Sequence, residues 1–172
     1  AKFVGGYAEQ VQRLALAALV AGQHAHFVGA PGTGKTTILL AVLRAVYGDG
    51  AFGFLGVNPA TRGEAVEGPY KIDMLINESR LERNVADSLY NPCYKALLID
   101  EFSRANDVVL NQMIQLLDRR AAPALTVPVL ATANFMVKDS KFEAVYDRLA
   151  LWGWVNPNHI NIGSVIAAQL NS

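Results

Sequence analysis

"GAPGTGKTT", residues 29–37, sets three glycines, a proline and one lysine inside an otherwise apolar part of the chain. Before it comes "HAHFV" (24–28), short and apolar, which reads as a buried strand; after it, Thr36 to Val46 reads as a helix stopped by Gly48. Gly29 to Thr36 satisfies the pattern glycine, four residues, Gly-Lys-Thr, in the context that gives the pattern its mechanism, between a strand and a helix N-terminus. Gly29, Gly32 and Gly34 are expected to let the backbone adopt left-handed angles and turn N–H groups inward, making an anion nest at the positive end of the helix. Pro31, Thr33 and Thr37 complete the expected nucleotide-binding loop. Lys35 adds a mobile cation for terminal phosphates, and Thr36 a hydroxyl for Mg2+, a hard ion that takes few protein ligands alongside substrate phosphate.

Working outward, Ala8 to Ala21 has the helical apolar period and ends at Gly22. Four more strands are expected, at Phe52–Val57, Lys95–Asp100, Thr126–Ala133 and Leu149–Val155, with a helix over Asn106–Leu117 between the third and fourth strands of the chain. Strands alternating with helices, several uniformly apolar, indicate an α/β fold: a three-layer αβα sandwich around a five-stranded parallel sheet, built as one domain over residues 1–172.

"ALLIDE" ends a buried strand in two carboxylates, Asp100 and Glu101, where an open α/β sheet presents its ligand crevice. Asp100 is expected to position the metal with Thr36, and Glu101 to orient and deprotonate the attacking water. "VPVLATAN" ends in Asn134, a neutral amide able to contact the γ-phosphate or the water. "FEAVYDRL" carries Arg148, which in a ring could reach a neighbour's γ-phosphate as an arginine finger, worth about 10³ to 10⁵ in rate.

The bulk numbers exclude rather than select. Fifteen Lys and Arg balance fifteen Asp and Glu, so no basic stripe advertises a nucleic acid. The longest apolar run, Leu14 to Ala21, falls far short of the roughly 20 residues a membrane span needs, and "AKFVGGYAEQ" has no export-signal pattern. The single Cys93 suits a reducing, cytoplasmic setting.

Taken in order, "FVGGYAEQVQRLALAALVAGQHAHFVGAPGTGKTT", "LLIDEFSRANDVVLNQMIQLLDRR", "VLATANF" and "FEAVYDRL" resemble the MoxR group of AAA+ ATPases over nearly the whole chain. "GPYKIDMLINESRLERN" and "FEAVYDRL" look most like its RavA branch. The resemblance implies Walker A residues Gly29, Gly34, Lys35 and Thr36, Walker B residues Asp100 and Glu101, sensor 1 at Asn134 and an arginine finger at Arg148. It also implies ATP rather than GTP, with Val4, Gly5 and Gly6 near the adenine. A hexameric ring and chaperone-like remodelling of protein complexes follow from it, often with a von Willebrand A-domain partner. Two departures stand out. The 34 residues from Asp100 to Asn134 leave an abbreviated hairpin in "RRAAPALTV", and the 24 residues after Arg148 leave no room for the family's helical lid and second sensor arginine.

Other residues carry plainer expectations. Arg104 serves a subunit boundary or an ion pair at a helix start; Arg119 and Arg120 meet a helix's negative pole. His24 and His26 lack a ligand pattern for metal. Trp152 and Trp154 share a strand face and belong in the core or under a covering element. Glu64, Glu67 and Lys71 lie in a loop. Two other functions fit the same core: a nucleic-acid or packaging motor, and a slow nucleotide-dependent switch.

Overall fold

In the computed structural model, residues 6–118 and 127–155 are described, with side chains from Ala8 onward. The expectations for Val4, Gly5, Arg119, Arg120 and the hairpin segment fall wholly or mostly outside those residues, as does the stretch beyond Val155. Five parallel strands form one sheet: β1 (Ala25–Gly29), β2 (Phe52–Gly56), β3 (Ala96–Asp100), β4 (Val129–Ala133) and β5 (Leu151–Val155), in the order β2-β3-β4-β1-β5. Six helices accompany them: α1 (Gly6–Ala21), α2 (Lys35–Tyr47), α3 (Glu64–Glu67), α4 (Ile72–Glu78), α5 (Asp107–Leu117) and α6 (Ser140–Tyr146). The parallel α/β sandwich expected from sequence is the observed fold. The last two strands start later than expected, at Val129 and Leu151.

Alternation along β3 shows why the sheet needs a helix layer on each face. Ala96 and Leu98 point into one apolar cluster with Val11, Ala15 and Ala18 of α1 and Leu39 and Leu43 of α2. Leu97 and Ile99 point into the other, with Val109, Met113 and Leu116 of α5 and Val145 of α6. All four β3 side chains are fully buried, and each buried leucine or isoleucine contributes about 1.5–3 kcal/mol, so the central strand is held from both sides. Asn106 caps α5 by accepting from the Val109 N–H at 3.1 Å, which sets where that helix starts. Among the described residues no helix is long and apolar enough to cross a membrane.

Of the two alternatives for the tryptophans, the core does not hold for Trp154, which is 68% exposed on strand β5, and Trp152 is partly covered. One expectation needs correction here. The stretch holding Glu64, Glu67 and Lys71 is not a plain loop. Glu64 and Glu67 lie in α3, Lys71 precedes α4, and an antiparallel bridge between Tyr70 and Arg83 closes the segment's neck. Arg83 secures that neck through Glu67 at 2.6 Å and the Gly68 carbonyl at 2.9 Å, and lies over the Tyr70 ring.

His26 is fully buried on β1, with the rings of Phe102, Tyr146 and Trp152 around it and no hydrogen-bond partner on either nitrogen. Burial disfavours the imidazolium and pushes its pKa from 6.5 down to about 3. The folded state thus favours neutral imidazole. Stability from this group is fully present above pH 6.5 and is lost as pH falls towards 3, by about 1.4 kcal/mol per pH unit. His26→Phe is expected to remove that part of the acid sensitivity; unfolding midpoints of both proteins between pH 7.5 and 4.5 check it, and parallel curves would contradict it.

Candidate functional site

The site forms where β1, β3 and β4 end on the same side of the sheet. Gly29 closes β1, and the loop to α2 passes through two left-handed glycines, Gly32 and Gly34, both at φ 76°. Gly34 is also the N-cap of α2, and no side chain caps that helix, so its first N–H groups are open to an anion. Gly29 itself is not left-handed, contrary to expectation. A Cβ there would collide with the Val155 carbonyl of neighbouring β5, so close strand packing, not the anion nest, requires this glycine.

Lys35, at the start of α2, is 6% exposed and folds back over the loop. Its Nζ donates to the carbonyls of Gly29 (2.7 Å) and Ala30 (2.9 Å) and to Asn134 Oδ1 (3.1 Å), and lies 3.4 Å from Thr33 Oγ1. Thr33 Oγ1 donates to the Ala30 carbonyl, fastening the loop across its own turn. Burial lowers the Lys35 pKa from its usual value, while the charges of Asp100 and Glu101 oppose that shift.

Asp100 ends β3 and receives two hydroxyls on Oδ1. Thr36 donates at 2.6 Å and Thr132 of β4 donates from the other side. Next to it, Glu101 stands at φ 54°, one of two non-glycine residues in the left-handed region among the described residues, at a cost of roughly 1–2 kcal/mol. Its N–H donates to Thr132 Oγ1 at 3.0 Å, which fixes that conformation. The Glu101 carboxylate accepts from Asn134 Nδ2 at 2.8 Å and pairs with Arg104 at 2.9 Å.

The residues read from sequence therefore converge on one cleft of about 230 Å³. Pro31, Gly32, Gly34, Lys35, Thr36 and Thr37 line it from the loop and α2, and Asp100, Glu101 and Asn134 line it from the ends of β3 and β4. Open helix N–H groups, a buried ammonium and an adjacent hydroxyl–carboxylate pair suit a polyphosphate with a hard divalent cation. Thr36 and Asp100 are the side chains able to hold such a cation. No cluster of three or more His, Cys, Asp or Glu exists among the described residues, so the remaining ligands would be phosphate and water oxygens.

Arg148 is not in this cleft. Its Nη1 donates to the Ala144 carbonyl at 2.7 Å and its Nη2 pairs with Asp118 at 3.1 Å, after the end of α5. Both α5 and α6 run back from the site, so this pair lies at the opposite end of the strands, on the order of 15 Å away. Thr132 escaped the sequence reading, although the signal was there: it lies two residues before Asn134, hence on the same side of the strand.

A model of the MoxR domain in the MoxR–vWA–β-propeller ternary systems matches residues 1–167. This chain belongs to that MoxR family of AAA+ proteins. The MoxR domain is 23% identical over 142 residues to the uncharacterized protein MJ0812 of Methanocaldococcus jannaschii, covering 78% of the chain and 37% of the relative. Its fold is similar to a putative ATPase from Cytophaga hutchinsonii, with a TM-score of 0.64 at 17% identity over 97% of this chain and 51% of that one. It is also similar to the Hsp104–ADP complex of S. cerevisiae, with a TM-score of 0.57 at 18% identity over 94% of this chain and 34% of that one. The MoxR domain spans little more than a third of the curated relative and half of the first structural neighbour.

Proposed function

We propose that this MoxR domain binds ATP with Mg2+ and hydrolyses it to ADP and phosphate, in a ring whose active sites are shared between subunits. The observation that carries the reading is the convergence on one cleft of an uncapped helix N-terminus, Lys35, the Thr36–Asp100 pair and Glu101. On this reading Gly32, Gly34, Lys35 and Thr37 hold the phosphates and Thr36 with Asp100 holds the cation, which neutralises charge on the transferring phosphoryl group. Glu101 takes the proton from the attacking water and Asn134 orients the water or the γ-phosphate. Arg148, one strand length from its own cleft, acts on a neighbour's site.

The shared-site arrangement predicts ATP turnover per subunit that rises with protein concentration. Turnover independent of concentration across a range where the protein is monomeric would leave the site complete within one chain and favour a slow switch instead. Association with a von Willebrand A-domain partner and a β-propeller partner is the reading the family's ternary systems support, and remodelling of a protein client rests on the resemblance of the sequence to the MoxR group. Kinship to the RavA branch rests on "GPYKIDMLINESRLERN" and "FEAVYDRL", and a cytoplasmic location on the absence of a disulfide framework.

Lys35→Ala is expected to weaken ATP binding by about 2–5 kcal/mol, or roughly 30- to 4,000-fold, because a buried cation is lost from the phosphates. Titration with a fluorescent ATP analogue checks this, and retained tight binding would remove the loop from the nucleotide site.

A further inference from the structure

The Glu101 carboxylate is held from two sides. Oε1 accepts from Asn134 Nδ2 at 2.8 Å, and Oε2 lies 2.9 Å from Arg104 Nε in an ion pair. The backbone beneath is fixed. Glu101 caps a 3-10 turn over Phe102–Arg104, the Arg104 N–H closes that turn on the Glu101 carbonyl at 2.9 Å, and Phe102 and Ser103 are buried within it. The carboxylate can thus change partners only by moving its side chain or theirs.

The two restraints differ in kind. Asn134 is part of the cleft, since its Oδ1 also accepts from Lys35. Arg104 is 51% exposed, and Glu101 is the carboxylate it pairs with among the described residues. A general base must offer an oxygen to water at hydrogen-bond distance, and the guanidinium ion-paired with Oε2 draws the carboxylate towards Arg104 in competition with that water.

We propose that Arg104 is a latch on the base: a positioning residue that withholds the Glu101 carboxylate from the attacking water, so that hydrolysis requires Arg104 to let go. The inference rests on Glu101 being the water-activating group. It turns the helix-start ion pair expected from sequence into a brake, because Arg104 pairs with Glu101 and not with anything at the start of α5, where Asn106 already caps the helix.

Single-turnover hydrolysis at saturating ATP, with nucleotide affinity titrated separately, tests the latch in the wild type, Arg104→Ala and Arg104→Lys. Arg104→Ala is expected to hydrolyse about two- to five-fold faster with unchanged affinity, the size of effect a half-exposed ion pair can impose. Arg104→Lys, which keeps a cation near Glu101, is expected to stay near the wild-type rate. A rate in Arg104→Ala that falls or does not change overturns the latch, as does a gain explained by tighter nucleotide binding. A purely structural role would lower the unfolding midpoint without raising the rate. Glu101→Gln separates the two ideas: if it hydrolyses normally, the base assignment fails and the latch with it; if it is inactive while Arg104→Ala is no faster than the wild type, only the latch fails.

Discussion

Arg148→Ala is expected to slow ATP turnover by about 10³- to 10⁵-fold while leaving nucleotide affinity near that of the wild type. The guanidinium lies at the far end of the sheet from its own Lys35 and Glu101, beside Asp118, so its loss should not disturb binding in its own cleft. Its position also limits how it can contribute. Its Nε is buried without a partner and its Nη groups are held by the Ala144 carbonyl and the Asp118 carboxylate, so acting on a neighbour's site requires the head group to leave both. A charge placed on a transferring phosphoryl group from a neighbouring subunit stabilises the transition state far more than the ground state, which is why the rate and not the affinity should fall. Mixing provides the decisive measurement. Arg148→Ala keeps an intact cleft and Glu101→Gln keeps an intact Arg148, so each is expected to be inactive alone and the mixture to regain turnover. Failure to complement, with both variants folded, would place the arginine's effect within its own chain.

Glu101→Gln is expected to bind ATP with near wild-type affinity and to lose about 10²- to 10⁴-fold in hydrolysis, the usual contribution of a positioned general base. The substitution preserves shape and the left-handed backbone, which depends on the main-chain N–H to Thr132 and not on the side chain. It removes the charge that Asn134 and Arg104 now share. The phosphate loop is untouched, because Lys35 and Thr36 bond to Gly29, Ala30, Asn134 and Asp100 and not to Glu101. Rapid-quench measurement of phosphate formation checks the rate, and turnover equal to that of the wild type would exclude Glu101 as the group that activates water.

Much of this arrangement was legible without coordinates, for identifiable reasons. Gly29 to Thr36 carries its meaning locally, because left-handed angles at Gly32 and Gly34 and an open helix start at Lys35 are properties of a few adjacent residues. "LLID" reads as a strand covered on both faces because an unbroken apolar run leaves no side for water, and Leu97, Leu98 and Ile99 are indeed fully buried. "FVGGYAEQ" begins outside the described residues.

What distant segments do to one another was decided only by the tertiary structure. The sequence alone determined the parallel α/β class, the strand–loop–helix unit and the acids at the end of β3. The strand order, with β4 between β3 and β1, was a tertiary decision, and it brings Thr132 onto Asp100 and Asn134 between Lys35 and Glu101. It also assigned Gly29 to strand packing against Val155, left Trp154 outside the core, and turned Arg104 towards Glu101. Propensity and periodicity report on neighbours a few residues apart, whereas Thr132 lies 32 residues from Asp100 and Asn134 lies 99 from Lys35, and a side chain's partner over such separations is chosen by which strands lie side by side.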